Sequence, residues 1–204
     1  MGDKSHWEKI YTTKAFDQVS WYQMQPKESL DLIRRTGVNK IAQIIDVGAG
    51  ASTLVDYLLE DGYKHLTVLD ISPSALNRAK TRLGSRAEDV TWIEDDITQH
   101  PLPLSYYDVW HDRAVFHFLT DKEDRRKYVA VVKRSLKPGG HIIVASFAPD
   151  GPSQCSGLEV MRYSPNSLHY EFGDDFELLG SRNETHQTPF NTQQTFIYCY
   201  CRKR

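Results

Sequence analysis

Ile44-Ile45-Asp46-Val47-Gly48-Ala49-Gly50 carries the strongest structural signal in this 204-residue chain. An apolar run ends in a glycine turn. From Ser52 to Leu59 the apolar residues Leu54, Val55, Leu58 and Leu59 then fall on one helical face, and the pattern ends near Gly62. The local reading is strand, turn, helix. Glycines at 48 and 50 let the backbone approach a ligand where a Cβ would collide. Twenty residues after Gly50, Asp70 closes the next apolar run, Leu66-Thr67-Val68-Leu69, where a carboxylate is placed to accept both hydroxyls of a ribose.

The same alternation extends in both directions. Residues 1–25 are rich in aromatics (Trp7, Tyr11, Phe16, Trp21, Tyr22) without clear periodicity. A helix is expected from Pro26 to Gly37, then strands over 41–47 and 65–70. Ser72-Pro73 opens a helix that runs to Leu83 and stops at Gly84. A third strand spans 90–93 and is closed by Asp95-Asp96-Ile97; a fourth spans 108–112. A long helix over 122–136 ends at Lys137-Pro138-Gly139-Gly140, and a fifth strand over 141–147 reads as buried on both faces. A loop over 148–164 is long enough to suggest binding. A short helix over 165–172 and strands over 176–185 and 194–201 follow.

This order predicts an α/β fold, a doubly wound, mainly parallel seven-stranded sheet with an antiparallel strand pair at the carboxyl end. One domain over 1–204 is expected, with residues 1–37 as an amino-terminal segment and helix beside a core over 38–204. In such sheets ligands sit at the carboxyl ends of the strands, which brings Asp46, Asp70, Asp96 and the segment 111–117 around one crevice.

A hydrophobic content of 40% with 25% charged residues fits a globular chain. A net charge of −2 gives no footprint for a phosphate backbone, so nucleic acid is a poor partner. No apolar run approaches the roughly 18 residues that cross a bilayer. The first residues are polar rather than a secretory leader, and the position that myristoylation needs as Ser or Thr is His6. Three cysteines, at 155, 199 and 201, make no disulfide framework and suit a reducing, cytoplasmic setting. No His/Cys spacing matches a zinc site, so no metal is expected.

The ligand is not a dinucleotide. That fingerprint wants a third glycine where the chain has Thr53, and Asp46, two residues before the first glycine, would repel a pyrophosphate while favouring a cation. Acid-x-Gly-x-Gly, the acid after the second strand, the Lys-Pro-Gly-Gly turn and the closing strand pair together resemble the class I S-adenosylmethionine-dependent methyltransferases. The resemblance covers the chain from about residue 40 to its end. It implies S-adenosyl-L-methionine as cofactor and S-adenosyl-L-homocysteine as product. It places Gly48 and Gly50 along the methionine part, Asp46 at its ammonium and Asp70 at the ribose. Asp96 would meet the adenine amino group, the Ile97 amide a ring nitrogen, and Ile71 the adenine face, while His111 lies beside the cofactor. Asp95 and Asp96 have a structural alternative as turn or helix caps.

The amino-terminal Trp7-Glu8, Tyr11 and Trp21-Tyr22-Gln23 before Pro26 resemble the lid of thiopurine and thiol methyltransferases. The resemblance puts Trp21 and Tyr22 at the cofactor and Tyr11 at the acceptor, with an arm packed for stability as the alternative. A sulfonium is drawn to aromatic faces, and a lid excludes water.

Acceptors in this fold meet the segment after the fourth strand. Here it reads His111-Asp112-Arg113-Ala114-Val115-Phe116-His117, without the Asn/Asp-Pro-Pro-Tyr motif of amino-directed DNA methyltransferases. His111, Asp112 and His117 are the candidate bases or orienting groups. Arg113 would clamp an acidic substrate group or pair with a neighbouring acid. Cys155, Arg162 and Tyr163 belong to the loop expected to wall the acceptor site; Cys199 and Cys201 are expected to be inert.

The expected activity is methyl transfer to a small molecule, with sulfur or another soft nucleophile ahead of nitrogen or oxygen. Protein lysine methylation is the alternative. Compact relatives of the fold act on lysines of elongation factors and citrate synthase and open with Trp-Glu or Trp-Asp, but their Asp-Lys-Gly is Asp112-Arg113-Ala114 here. A module that binds the cofactor without turning it over is the remaining possibility.

Overall fold

The computed structural model describes residues 2–204, with the side chain of Phe16, one of the amino-terminal aromatics, outside the described set. The apolar runs become β1 (Gln43–Val47), β2 (His65–Asp70), β3 (Val90–Glu94), β4 (Tyr107–Arg113) and β5 (Leu136–Phe147). They lie parallel in the order β3-β2-β1-β4-β5. Strand order therefore reverses between β1 and β4, and Asp46 faces His111 across that junction in register. Small antiparallel strands β6 (Gln154–Cys155) and β7 (Leu158–Glu159) stand apart in their own sheet. Long strands β8 (Phe176–Gln187) and β9 (Gln193–Lys203) complete the main sheet, with β9 antiparallel to both β5 and β8. The doubly wound, seven-stranded architecture expected from the sequence is the one observed.

Helices α1 (Lys4–Thr13), α2 (Lys27–Arg35), α3 (Leu54–Glu60), α4 (Pro73–Leu83), α5 (Lys122–Ser135) and α6 (Pro165–Phe172) cover the sheet. Their ends follow capping chemistry. The Ser72 side chain accepts from the Ala75 N–H with Pro73 in the first turn, and the Asp121 side chain accepts from the amides of Glu123 and Asp124. Two apolar layers result, one on each sheet face, with Trp110, Tyr128 and Phe116 in one and Leu30, Ile33 and Ile44 in the other.

Three local expectations are corrected. Residues 4–13 form a helix, although only Ile10 and Tyr11 of it are buried, too few to make an apolar stripe in sequence. The fifth strand begins at Leu136 rather than His141, because Leu136 pairs with Tyr107 and a register shift between Tyr107 and Val109 absorbs the Pro-Gly-Gly segment. The loop over 148–164 holds the β6–β7 hairpin, whose turn residues Ser156 and Gly157 both take positive φ. Among the described residues no helix is long and apolar enough to cross a membrane.

Candidate active site

The glycine turn after β1 folds over the end of β2. Gly48 N–H donates to Leu69 C=O at 2.7 Å, and Gly50 N–H donates to Asp70 Oδ2 at 2.7 Å. The other oxygen, Asp70 Oδ1, accepts from Ser72 N–H at 2.8 Å. Gly48 and Gly50 both sit at positive φ (+61° and +56°). A Cβ at Gly48 would overlap Val115, and one at Gly50 would overlap the Tyr11 hydroxyl. Only glycine allows Val115 and Tyr11 to pack this closely on a backbone at positive φ. Burial pushes the Asp70 carboxyl up to about 6 despite its two amide donors.

Two adjoining clefts open here. The first runs from Asp70, Ile71, Asp95, Asp96 and Ile97 past Val115 to Trp7, Trp21, Phe118, Arg113 and Cys155. The second lies over Asp46, Ala49, Ser52 and His111 and under Tyr22 and Gln23. Tyr11, Trp21, Gly48 and Arg113 line both and form the partition between them.

The aromatic arm roofs the clefts and is tied down at several points. Trp7 meets Phe118 edge-on at 4.9 Å and Trp21 at 6.1 Å; Tyr11 meets Trp21 at 6.4 Å. The Glu8 carboxylate accepts from Ser72 Oγ at 2.6 Å, from Ser74 N–H and from Ser74 Oγ at the start of α4, where negative charge is favoured. From the carboxyl-terminal hairpin, His186 Nε2 donates to Ser20 C=O at 2.7 Å and Glu184 accepts from Gln23 Nε2 at 2.6 Å.

Arg113 is held by the same hairpin. Its Nε donates to Tyr198 Oη at 3.0 Å, Nη1 to Trp21 C=O at 3.1 Å and Nη2 to Glu184 at 3.4 Å, with the guanidinium 4.3 Å from the Phe196 ring centre. Arg113 thus has an acid partner in Glu184 while it also lines both clefts.

The residues singled out from sequence fall into two groups. Asp46, Gly48, Asp70, Ile71, Asp96, Ile97, His111, Tyr11, Trp21, Tyr22, Arg113 and Cys155 line the clefts, while Gly50 is buried behind them with its amide on Asp70 and the Tyr11 hydroxyl packed against it. Asp96 does so while capping a turn: its Oδ1 accepts from both the N–H and the hydroxyl of Thr98. The other group packs elsewhere. Asp112 is fully buried and accepts from Tyr128 Oη at 2.5 Å and from the amides of Val115 and Phe116. Tyr163 packs 5.8 Å from Phe116 in the core, and Arg162 donates to the carbonyls of Pro149 and Gly151. His117 lies between Phe118 and Phe147 with 0% exposure. A base must reach its proton, so the positions of Asp112 and His117 argue against the role considered for them.

Sequence reasoning missed Val115, Phe118, Ser29, Glu184 and Tyr198. Only Val115, within the expected site segment, and Phe118, directly after it, carried any signal. The others reach the site through helix and strand packing.

Burial, with Arg113 nearby, pushes the His117 imidazole down to about 3. As pH falls below about 6.5, the ordinary histidine value, the unfolded chain takes up a proton that the folded chain refuses, so this contribution to stability is lost toward pH 3. Relative to wild type, His117→Phe is expected to gain about 2 kcal/mol between pH 7.5 and pH 5. Denaturant midpoints of the two proteins across that range check it. A constant difference would show that His117 titrates normally.

The donor set fits S-adenosyl-L-methionine. Carboxylates suit an ammonium and a ribose diol, Gly48 lines both clefts between them, and Ile71, Ile97 and Val115 offer apolar contact for a purine. A family model described as a methyltransferase domain matches residues 45–144. An eEF1A lysine and N-terminal methyltransferase from Mus musculus is 26% identical over 153 residues, covering 72% of this chain and 22% of that protein. The chain thus spans about a fifth of that relative's length. EEF1A lysine methyltransferase 2 from Homo sapiens is 24% identical over 196 residues, covering 88% of this chain and 76% of that protein. The N-methyltransferase NodS from Bradyrhizobium japonicum, solved with S-adenosyl-L-homocysteine, superposes with a TM-score of 0.73 at 18% identity, covering 97% and 98% of the two chains.

Proposed function

We propose that this chain, which carries an S-adenosyl-L-methionine-dependent methyltransferase domain, methylates a small-molecule acceptor whose nucleophilic atom needs no base from the protein, with sulfur or another soft atom favoured. The observation that carries the reading is the aromatic lining of the first cleft, where Trp7, Trp21 and Phe118 stand with Cys155 and the braced Arg113. A mainly apolar cleft under a tied arm suits a small, weakly hydrated acceptor. The arm then plays the part of the lid in thiopurine and thiol methyltransferases, and residues 1–204 work as one catalytic unit.

When bound, S-adenosyl-L-methionine supplies a methyl group on a positively charged sulfur, open to in-line displacement. Asp46 takes the ammonium, Asp70 the ribose, and Asp96 and Ile97 the adenine edge. Tyr11 and Trp21, at the partition between the clefts, favour a cation beside them and keep water out. Holding the acceptor about 3 Å from the methyl and in line is the main contribution to rate. The protonated groups nearby stay protonated: burial pushes the Cys155 thiol up to about 11 and the Tyr11 phenol far above its ordinary value. Neither takes a proton from the acceptor, which favours nucleophiles that ionise readily by themselves, such as thiols and selenols.

The test is formation of S-adenosyl-L-homocysteine with thiols, selenols, amines and carboxylates, and with a cell lysate split at about 10 kDa. Turnover with the small fraction supports the reading, and turnover confined to the large fraction overturns it. The second reading, protein lysine methylation, is favoured by the similarity to eEF1A lysine methyltransferases of mouse and human.

Trp21→Ala separates a lid from an arm that only packs. Affinity for S-adenosyl-L-methionine, which carries the sulfonium, is expected to fall about tenfold while Tm drops by less than about 4 °C. A large Tm loss with unchanged affinity of the folded fraction would mean that the arm serves stability alone.

A further inference from the structure

Asp46, His111 and Ser29 form a buried chain at the floor of the second cleft. His111 Nδ1 lies 2.7 Å from Asp46 Oδ1, and His111 Nε2 lies 2.8 Å from Ser29 Oγ. The three residues come from β1, β4 and α2 and are 5%, 3% and 0% exposed. A carboxylate only accepts, so Nδ1 carries the proton in the first contact. Asp46 Oδ1 is therefore committed to the ring, while Oδ2 takes no hydrogen bond among the described residues of a side chain that lines the cleft. Both ring nitrogens are occupied, and Ser29, fixed on its helix, sets the angle of the ring.

We infer that His111 and Ser29 are positioning residues that aim Asp46 Oδ2 at the amino group of the bound cofactor, and that His111 is no proton carrier in methyl transfer. This rests on the reading that the clefts hold S-adenosyl-L-methionine. A carboxylate that rotates freely would lose much of its attraction for an ammonium to the entropy of fixing it; one locked by a buried imidazole is preorganised. The arrangement parallels the way a second partner fixes the orientation of a histidine at a metal site. The recognised chemistry is specific, an aliphatic ammonium on the methionine arm, and it makes this corner a reader of the amino acid half of the cofactor alone.

The test compares two ligands by calorimetry on the full chain. S-adenosyl-L-homocysteine carries the amino acid arm; 5′-methylthioadenosine shares the adenosine and thioether but lacks it. His111→Gln moves the amide out to the Nε2 position and removes the donor to Asp46. S-adenosyl-L-homocysteine should bind it at least about tenfold more weakly, with 5′-methylthioadenosine within about twofold of wild type. His111→Asn restores a donor near Nδ1 and should recover most of the loss. Ser29→Ala, which removes only a hydroxyl, should show the same ligand selectivity at about threefold, and it carries the test if the His111 variants do not fold. Equal losses for both ligands, or none, overturn the inference while leaving the cofactor reading in place. Failure of the wild-type protein to bind either ligand overturns the cofactor reading and this inference with it.

Discussion

Asp70→Ala is expected to weaken S-adenosyl-L-homocysteine binding about a hundredfold, the largest loss of affinity from any single truncation in the clefts. Asp70 is 5% exposed, and its two oxygens already hold the Gly50 and Ser72 amides, which fixes the carboxylate at the end of β2. Two further charge-assisted hydrogen bonds from a ribose diol are each worth about 1.5–3 kcal/mol. Losing both corresponds to roughly two factors of ten. The apo protein should suffer less than its partners suggest, because the substitution also removes a carboxylate that burial drives up to about 6. Calorimetry at pH 7.5 reads the affinity, and thermal unfolding confirms that the variant is folded. An unchanged affinity would remove Asp70 from the cofactor site and, with it, the orientation of the cofactor across both clefts.

Asp112→Ala is expected to lower stability by about 3 kcal/mol, or about 10 °C in Tm, with little effect on turnover by the folded fraction. Tyr128 Oη and the amides of Val115 and Phe116 would lose their common acceptor inside the core, while Trp110 Nε1 keeps its 2.9 Å bond to Tyr128 Oη. A buried donor without an acceptor costs about 1–3 kcal/mol, and relief of the buried carboxylate offsets part of the sum. The same residue considered as a general base would cost 10²–10⁴ in rate, so the two roles give opposite results. Denaturation reads one, and a single-turnover rate under saturating cofactor reads the other. A loss of rate above about a hundredfold in a variant of wild-type stability would restore Asp112 as a base.

Much of this molecule is written in short-range pattern. The run 44–50 encodes a strand, a turn at positive φ and the start of a helix, because an apolar period, two glycines and a second period each have one local solution. Asp70 could be assigned from its position at the end of the next run, and Ser72-Pro73 from capping chemistry. Asp112 shows where that logic stops. In sequence it stands between His111 and Arg113, both of which line the clefts, yet alternation along β4 sends its side chain to the opposite face of the sheet, into the layer of Trp110 and Tyr128. The helix over 4–13 was illegible for a different reason: its burial is supplied by the sheet rim and by α4, so it needs no apolar stripe of its own.

Local sequence is enough for the strands and helices of the main sheet from α2 onward, the glycine turn and the acids at the strand ends, since each depends on contacts a few residues apart. Which face each acid and histidine meets is settled by tertiary packing. It brought Glu184 and His186 of the last hairpin to Gln23 and Ser20 of the arm, and Ser29 to His111. Those contacts join residues 82 to 166 positions apart. Their geometry is set by the packing of whole elements around the reversal between β1 and β4, which no local run of residues encodes.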